Sequence, residues 1–458
     1  MRRRSFTVCE TGCAYDGIPA AVAGAASGDT ITVAPGNYAF TTTMTIDKPL
    51  TLLGPNSGVS PVSGTRGAEA VIDGTGVTTM DGHAFHIASG TTDVTIDGFA
   101  FKGSGIVASA VTEDITIQHN AFTEVAHDSL AAIQTYEGLT SATGWDILDN
   151  LIDPGVRGSN SGIILSTVRD VTISGNHISN TGHTGVQLNT VSGAVVRGNA
   201  ISNTGKQGIS LSDVSGEIRI SDNTFTEADA DEANRGAIRI VGTSTANVDI
   251  EGNALRGSYT AIHVGATFSG SGAVTAHENT LEDNVVAVRN ASNVSVDAAR
   301  NWWGSAAPDF AALVVGDVTT APFYTNDARR AAGGRCRCAG RADPGRRTGR
   351  PRCDRGVRHP ARRSEQRSRR PRPVGATRGR ASVAVRRRQL RRRLRLLRAG
   401  VPRDLPRGRR QRAALRRHLR ARTRHAPVGV HRTDDTGPPG DGDHRAGSGR
   451  ARRAWRPR

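Results

Sequence analysis

The sequence predicts an all-β solenoid of stacked coils, and two observations carry that prediction. Residues 171–192 and 194–215 nearly repeat each other at an interval of 23 residues, with matching Asn, Ile and Ser-Asn-Thr-Gly positions. Through the rest of the chain up to about residue 325, apolar and polar residues alternate around a recurring asparagine. Self-similarity at such a period indicates stacked repeats, and alternation indicates strands with one buried face.

Charge divides the chain into two parts, and the total of +18 describes neither. Residues 1–328 contain 16 Lys and Arg against 34 Asp and Glu, a net charge of −18. Residues 329–458 contain 44 Arg and 8 acidic residues, a net charge of +36. The acidic part argues against nucleic acid as the partner of the repeat region. The sequence has no run of about 18 apolar residues that would predict a membrane-spanning helix.

The N-terminal residues 1–13 are predicted to form a lead into the first coil. Met1–Arg4 resembles the basic start of a signal peptide, but the next residues are too polar for its apolar core, so no clear signal peptide is predicted. Cys9 and Cys13 are close enough in sequence for a local disulfide or a metal pair, and an extracellular setting favours the disulfide.

A short helix is predicted at residues 17–27, because its apolar residues fall on one helical face. These residues are Ile18, Ala21, Val22 and Ala25. The segment 28–38, Gly-Asp-Thr-Ile-Thr-Val-Ala-Pro-Gly-Asn-Tyr, then predicts a strand and a tight turn. Such a helix would cover the open end of the stack, which otherwise exposes unpaired backbone.

Eight asparagines mark equivalent corners of the predicted coils. They are Asn120, Asn150, Asn176, Asn199, Asn223, Asn253, Asn279 and Asn301. Apolar residues stand at most positions five and three before each asparagine and two after it, which predicts a strand, a corner and a second short strand. A buried amide at a corner can bond to the neighbouring coil, so we interpret these asparagines as architecture.

A third strand closes each predicted coil. Its phase-matched copies are residues 163–165, 186–188, 209–211, 238–240 and 262–264. Length varies mainly between the asparagine corner and this strand and again before the next corner, so insertions fall in turns, as expected for a solenoid. About eleven or twelve coils fit between residues 14 and 325.

This pattern resembles the right-handed parallel β-helix superfamily, which includes pectate-lyase-like and NosD-like β-helix repeat proteins. The resemblance rests on the eight strand–Asn–strand units, the opening segment 28–38 and the closing Asn301-Trp302-Trp303-Gly304. It implies a single-stranded right-handed parallel β-helix solenoid over residues 14–325. The fold carries lyases, hydrolases, epimerases, adhesins and inert spacers, so it does not define an activity.

Residues 326–458 are predicted to be an Arg-rich disordered tail. From residue 329 onward they lack Lys, Ile, Asn, Met, Phe and Tyr, and the residue types that remain have GC-rich codons. We interpret the tail as frameshift-derived, with a polybasic tail for nucleic acid or an anionic surface as the alternative.

In related polysaccharide-active β-helices, the third-strand face forms the substrate groove. The resemblance therefore implies a candidate site in this chain on the same face and on the turns before it. The candidate substrate-binding residues are Gln134, His183, Gln187, Gln207, Tyr259, His263 and Arg289. Amides, cations and an aromatic ring suit sugar hydroxyls and uronate carboxylates, since Arg pairs with a carboxylate through two hydrogen bonds. An ordinary polar solvent face is the alternative.

One acidic turn on this face predicts a Ca²⁺ site. Its candidate ligands are Glu227, Asp229, Asp231 and Glu232, because dense oxygen ligands suit Ca²⁺. A uronate lyase or epimerase needs a cation to neutralise the carboxylate and a base to remove the C5 proton, and Ca²⁺ with Lys206, Arg235 or Arg239 could fill those roles. A solvated acidic loop is the alternative.

The motifs of the polygalacturonase-type hydrolases and of the alginate epimerases are missing from the sequence, so an enzyme activity is left open. The prediction is a secreted or cell-surface monomer that binds a polysaccharide or cell-surface glycan along the third-strand face. The alternatives are a Ca²⁺-dependent uronan lyase or epimerase and an inert structural or adhesin rod.

Overall fold

A computed structural model describes residues 3–79, 82–125, 131–136, 142–155, 160–228, 235–269 and 271–327. Within these residues the chain forms a parallel β-solenoid of about 11 turns with two short helices. The all-β prediction is therefore confirmed. The predictions for residues 328–458 lie outside the described residues.

Each full coil contributes one strand to each of three parallel sheets. Sheet 1 has thirteen strands: Ser5–Val8, Asp29–Val33, Leu50–Leu53, Thr92–Asp97, Glu113–Gln118, Ala142–Leu148, Val168–Ser174, Ser192–Arg197, Ser215–Ser221, Asn247–Glu251, Val274–His277, Val296–Asp297 and Val318–Thr319. Sheet 2, after the asparagine corner, has ten: Gly36–Ala39, Ala70–Asp73, Ala100–Lys102, Ala121–Thr123, Leu151–Asp153, His177–Thr181, Ala200–Thr204, Thr224–Ala228, Ala254–Arg256 and Thr280–Glu282.

Sheet 3, the predicted third-strand face, has eleven strands: Met44–Ile46, Phe85–Ile87, Ile106–Ala108, Ala131–Thr135, Ser161–Ser166, Val186–Asn189, Ile209–Ser212, Ile238–Val241, Thr260–Val264, Val286–Asn290 and Val314–Val315. Each of the five third strands predicted from the sequence lies within one of these strands. Because equivalent residues pair from coil to coil, their side chains form straight rows along the solenoid.

The core consists of such rows. In sheet 1 the paired, buried residues are Val94, Ile115, Trp145, Val171, Ala194, Ile218, Val248, Val274 and Val296. Alternate residues of the same strands point outward, which is the pattern that the sequence showed. Burial of these apolar rows is the main term that stabilises the stack.

Hydrogen bonds between asparagines link the corners. The Asn176 Oδ1 atom accepts from the backbone nitrogen of Asn150 at 2.9 Å and from Asn150 Nδ2 at 3.0 Å. Asn176 Nδ2 donates to the Ile147 carbonyl at 2.8 Å and to Asn199 Oδ1 at 3.0 Å. Asn199, Asn223, Asn253 and Asn279 repeat these bonds with their own neighbours. Buried backbone groups at the corners are thereby paired, as burial requires.

The corner also needs a left-handed residue directly before each asparagine. Gly175 has a φ of 71° and Asp149 a φ of 51° at this position. A side chain on Gly175 would collide with the Asp149 carboxylate below it. A side chain at Gly175 would have to displace this carboxylate, so glycine is favoured at this corner.

The N-terminal end is covered by helix α1, Ile18–Gly24, as predicted. Ile18, Ala21 and Val22 are buried against the first coil. Lys48 Nζ donates to the carbonyls of Val22 and Ala25 at 3.2 and 3.5 Å, which satisfies acceptors at the helix C-terminus. Cys9 and Cys13 form a disulfide with a Cα–Cα distance of 5.6 Å.

The other end closes with helix α2, Phe310–Leu313. Its Phe310 ring packs edge-on against Trp303 and Phe323, with ring centroids 5.2 Å apart in both pairs. The two strands after this helix, Val314–Val315 and Val318–Thr319, pair with Val286–Asn290 and Val296–Asp297. The segment after Gly304 is thus a final partial coil.

Candidate functional site

The outward row at the centre of sheet 3 contains five of the predicted residues. Backbone pairing aligns, in order, Gln134, Ile164, Gln187, Ser210, Arg239, His263 and Arg289. Parallel strands bring residues that are 23 to 30 positions apart in sequence to about 4.8 Å spacing. The row therefore presents amide, hydroxyl and cationic groups one coil apart.

The turns before these strands add a second row beside the first. His183 and Lys206 occupy the same position of successive coils, and the Lys206 backbone nitrogen donates to the His183 carbonyl at 2.8 Å. Arg235 occupies that position in the next coil and its Nη1 atom donates to the Gly205 carbonyl at 3.4 Å. Three nitrogen-bearing side chains thus lie side by side at one edge of sheet 3.

The two rows enclose an open groove of about 430 Å³. Its lining residues are His183, Gln187, Asn189, Lys206, Gln207, Ser210, Ser212, Arg235, Arg239 and Val241. All three predicted catalytic residues and three of the predicted substrate-binding residues meet here. Among the described lining residues there is no carboxylate, so the groove is cationic.

Electrostatics in the groove disfavour further positive charge. Burial, followed by the nearby Lys206 and Arg235 charges, lowers the pKa of His183 from 6.5 to about 4. Burial, followed by the Arg235 charge, also lowers the pKa of Arg239. In the described part of the chain, the buried Nε atom of Arg239 has no hydrogen-bond partner. A buried donor without a partner is costly, and an anionic ligand that accepts from this nitrogen would remove that cost.

Two hydrogen-bonded chains hold the polar groups of the groove in place. The Thr184 hydroxyl donates to Gln207 Oε1 at 3.0 Å and lies 2.9 Å from His183 Nδ1. Gln187 Nε2 donates to Asn189 Oδ1 at 3.3 Å, and Asn189 Nδ2 donates to Ser166 Oγ at 3.3 Å. The first chain runs through buried side chains of two coils, so it fixes the His183 ring.

Comparison with known proteins finds a family model that matches part of the chain. The family model described as "Right handed beta helix region" matches residues 62–255, which contain the whole groove. Together with the parallel β-solenoid of the structure, this match supports the right-handed β-helix superfamily that the sequence resembles. Among curated proteins, no match was found.

Solved structures of the same β-helix fold are remote in sequence. An α-1,3-glucanase catalytic unit from Streptomyces thermodiastaticus is 15% identical with a TM-score of 0.43, over 68% of this chain and 66% of the glucanase, just under two thirds of its length. The polygalacturonase of Erwinia carotovora is 10% identical with a TM-score of 0.45, over 71% of this chain and 96% of that one. These similarities describe the shared coil, so the functional argument rests on the groove itself.

Four predicted residues of this β-helix lie outside the groove. Gln134 lies two coils toward the N-terminus, where its Oε1 atom accepts from the Ala131 nitrogen at 3.4 Å. His263 is 5% exposed and lies between Arg239 and Arg289 in the central row. Tyr259 follows Arg235 in the turn row and is half-buried. They extend the same face but do not line its cavity.

The predicted Ca²⁺ ligands are mostly outside the described residues. Glu227 is exposed near the end of a sheet 2 strand, with a left-handed φ of 52°. Asp229, Asp231 and Glu232 lie outside the described residues. Among the residues that the structure describes, no group of three His, Cys, Asp or Glu could hold a metal ion. The Ca²⁺ site stays a prediction.

Sequence reasoning missed three groove residues. Asn189, Ser212 and Val241 stand two positions after the central row, so they point to the same side of sheet 3. Extending the strand alternation by one step would have found them. The role of Thr184 was also missed, because its bond to Gln207 joins residues 23 positions apart.

A larger groove of about 610 Å³ lies at the N-terminal end of sheet 1. It is lined by hydroxyl groups of Thr51, Thr95 and Thr116 and by Asp93 and Asp114. Among the described residues of its lining, no buried side-chain atom lacks a hydrogen-bond partner. The smaller groove is chemically the more distinctive of the two.

The described residues contain no helix that is long and apolar enough to cross a membrane.

Proposed function

We propose that this protein binds an acidic polysaccharide, a chain of uronate sugars, along the outer face of sheet 3. The observation that carries the proposal is the cationic groove around Arg239, whose buried Nε atom has no partner in the described residues. A uronate carboxylate is planar and can accept two hydrogen bonds from a guanidinium. Lys206 and Arg235 lie in the groove with Arg239, and their positive charges also favour a negatively charged ligand.

The neutral groups of the groove suit the rest of a sugar ring. Gln187, Asn189, Ser210 and Ser212 present amide and hydroxyl groups next to the cations. Sugar hydroxyls donate and accept hydrogen bonds, so they match groups of this kind. The central row continues past the cavity to Arg289, whose buried Nε atom also lacks a partner within the described residues. An extended polymer could therefore contact several coils.

We propose further that the protein acts outside the cytoplasm. Acidic polysaccharides occur at cell surfaces, and the Cys9–Cys13 disulfide fits an oxidising compartment. Solved structures of similar fold include a pectate lyase, an alginate lyase and a polygalacturonase. Those names motivate the choice of ligands for the test.

The test compares two triple variants of the full-length protein. Lys206→Gln/Arg235→Gln/Arg239→Gln removes three charges from the groove, and Arg169→Gln/Arg197→Gln/Arg219→Gln removes three exposed charges from sheet 1. Affinity for polygalacturonate, alginate and neutral dextran is measured by calorimetry. We expect the groove variant to lose at least about tenfold affinity for one acidic polymer, since each charge-assisted hydrogen bond contributes about 1.5–3 kcal/mol.

The matched variant controls for general attraction to cations, including the 44 Arg of residues 329–458. It is expected to change affinity by less than about twofold, and dextran is expected not to bind. Equal losses in the two variants, or no loss in the groove variant, would show that the groove is not the binding site. If no polymer binds, the alternative of an inert structural or adhesin rod is favoured.

A further inference from the structure

A serine and a histidine are in hydrogen-bond contact near the N-terminal end of sheet 3, outside the groove. His86 belongs to the strand Phe85–Ile87, and Ser109 directly follows the next strand, Ile106–Ala108. The Ser109 Oγ atom lies 2.8 Å from His86 Nε2, and both side chains are half-buried. When Nε2 is unprotonated the hydroxyl donates to it, which is the contact that activates a serine as a nucleophile.

The surroundings of His86 favour the unprotonated ring. Burial, followed by the charge of His83, lowers the pKa of His86 from 6.5. The strands on either side place Thr45 and Val107 beside His86, and both are uncharged. The imidazole is therefore mainly neutral at about pH 7 and can accept a proton.

The chain turns sharply after Ser109. Val111 has a left-handed φ of 62° and is the one apolar side chain among the described non-glycine residues with a positive φ. This conformation is strained for a β-branched residue, and such strain often occurs at functional sites. Within the described residues, the Ala110 nitrogen donates no hydrogen bond. An N–H group directly after a nucleophile can stabilise the oxyanion that forms during acyl transfer.

We propose that Ser109 and His86 are the nucleophile and the base of a serine-type acyl hydrolase, which removes O-acyl groups such as acetyl esters from sugar hydroxyls. The activity goes beyond the proposed binding function and uses residues outside the groove. His86 stands in the central row of sheet 3, four coils before Gln187. A polymer that follows this row from the groove would pass over Ser109, so the choice of a polysaccharide ester rests on the proposed function.

The reaction balances in two steps. The Ser109 oxygen attacks the ester carbonyl carbon while its proton passes to His86 Nε2, and negative charge collects on the carbonyl oxygen near the Ala110 N–H group. The bond from the acyl carbon to the sugar oxygen then breaks, and that oxygen takes the proton from His86. Water next gives a proton to His86 and attacks the acyl-serine, and the Ser109 oxygen leaves with that proton. The products are a sugar hydroxyl and a carboxylic acid, with no change of oxidation state.

The first experiment locates the nucleophile without any polymer. The full-length protein is treated with diisopropyl fluorophosphate near neutral pH, and the labelled peptide is identified by mass spectrometry. We expect a single label on Ser109, formed about 10²-fold more slowly in His86→Gln, because the label requires an activated hydroxyl. Labelling of a different serine in its place, or no labelling at all, would overturn the proposal.

His177→Gln is the matched control for the histidine. His177 is half-buried and points outward from sheet 2, away from Ser109. This variant should be labelled at the rate of wild type. Equal slowing in His86→Gln and His177→Gln would show that His86 does not activate the serine.

The second experiment measures hydrolysis of p-nitrophenyl acetate. Ser109→Ala should lower kcat by about 10²-fold or more, because the covalent step is lost. Ser295→Ala changes an exposed serine in a distant turn and should match wild type. If Ser109→Ala hydrolyses the ester as fast as wild type, another group carries the reaction and the proposal is wrong.

The pH profile separates a base from a structural residue. Because the pKa of His86 is lowered from 6.5, kcat/KM should stay constant near neutral pH and fall only in more acidic solution, as the ring becomes protonated. His86→Gln should lose this acid limb along with most of the activity. An acid limb that persists unchanged in His86→Gln would contradict the role of His86.

A third experiment separates this activity from the proposed function. Acetate release from O-acetylated alginate is measured for wild type and for Lys206→Gln/Arg235→Gln/Arg239→Gln. We expect the loss on the polymer to exceed the loss on p-nitrophenyl acetate by at least about tenfold. Ester hydrolysis at Ser109 without binding of any acidic polymer would overturn the proposed function alone. Binding of acidic polymer without label or hydrolysis at Ser109 would overturn the acyl hydrolase alone.

Discussion

Asn199 shows how one side chain can fix two coils at once. Its Oδ1 atom accepts from the backbone nitrogen and from Nδ2 of Asn176, and its own Nδ2 donates to the Ile173 carbonyl and to Asn223 Oδ1. The residue is 1% exposed, so water cannot replace these bonds without opening the corner. Loss of the Asn199 side chain would therefore destabilise the protein mainly by leaving its buried partners without hydrogen bonds.

Replacing Asn199 with Ala should therefore lower the free energy of unfolding by about 3 kcal/mol or more, because each buried partner left unpaired costs about 1–3 kcal/mol. Asn189→Ala is the matched control, since the Asn189 side chain bonds to the side chains of Gln187 and Ser166 and not to another corner asparagine in the described residues. It should cost less than about 1 kcal/mol. Urea unfolding followed by circular dichroism measures both, and equal losses would contradict a special role for the corner.

At the scale of elements, helix α1 differs from the coils because it covers an open end. Ile18 is fully buried, although only one side of the helix meets the solenoid. Without the helix, the first coil would expose apolar side chains and so invite association with other chains.

Ile18→Ala should lower stability by about 2–4 kcal/mol, since it removes buried methyl and methylene groups and leaves a cavity at the cap. The exposed Ala20→Ser is the control and should have an effect below about 0.5 kcal/mol. Light scattering after size-exclusion chromatography should show oligomers of Ile18→Ala at concentrations where wild type and Ala20→Ser run alike. A stable, monodisperse Ile18→Ala would mean that the helix is dispensable as a cover.

The elements also show what sequence could and could not predict. The third strands and the helix α1 were predicted because each carries its own alternation or helical face. The strand Ser5–Val8 was not predicted, since four residues are too few to show an alternation of apolar and polar residues. It becomes a strand only by pairing with Asp29–Val33.

The groove was predicted only in part for a related reason. His183, Lys206 and Arg235 were chosen because they occupy equivalent turn positions, which the repeat reveals. Their electrostatic coupling depends on how closely the coils stack, and the Thr184–Gln207 bond depends on side-chain direction. Neither is encoded in a local pattern, and therefore the pKa of His183 could not be anticipated from the sequence.

At the scale of the whole molecule, one complete coil is the smallest segment whose removal preserves the stacking. Deleting residues 176–198 joins Gly175 to Asn199, which preserves the strand and corner positions on both sides of the junction. We expect this shortened protein to fold cooperatively with a β-type circular dichroism spectrum. It should bind acidic polysaccharide more weakly, because His183 and Gln187 are removed.

A deletion one residue shorter, residues 177–198, is the control. It shifts the register by one position at the junction, and such a slip moves core side chains to the outer face. We expect this protein to aggregate or to stay insoluble. If both deletion proteins fold equally well, register does not govern assembly of the solenoid.

The near-identity of the two coils at residues 171–215 has a consequence for how the gene can change. Two tandem stretches of DNA that encode almost the same segment can misalign during recombination, which adds or removes one coil in frame. Each added coil keeps the apolar and asparagine residues that build the stack. Its groove residues duplicate residues that the neighbouring coil already provides. In the groove lining, these copies differ at three pairs of equivalent positions: His183 and Lys206, Gln187 and Ser210, and Asn189 and Ser212. In such a chain, new binding chemistry can arise by divergence of a spare coil, at no cost to the stack.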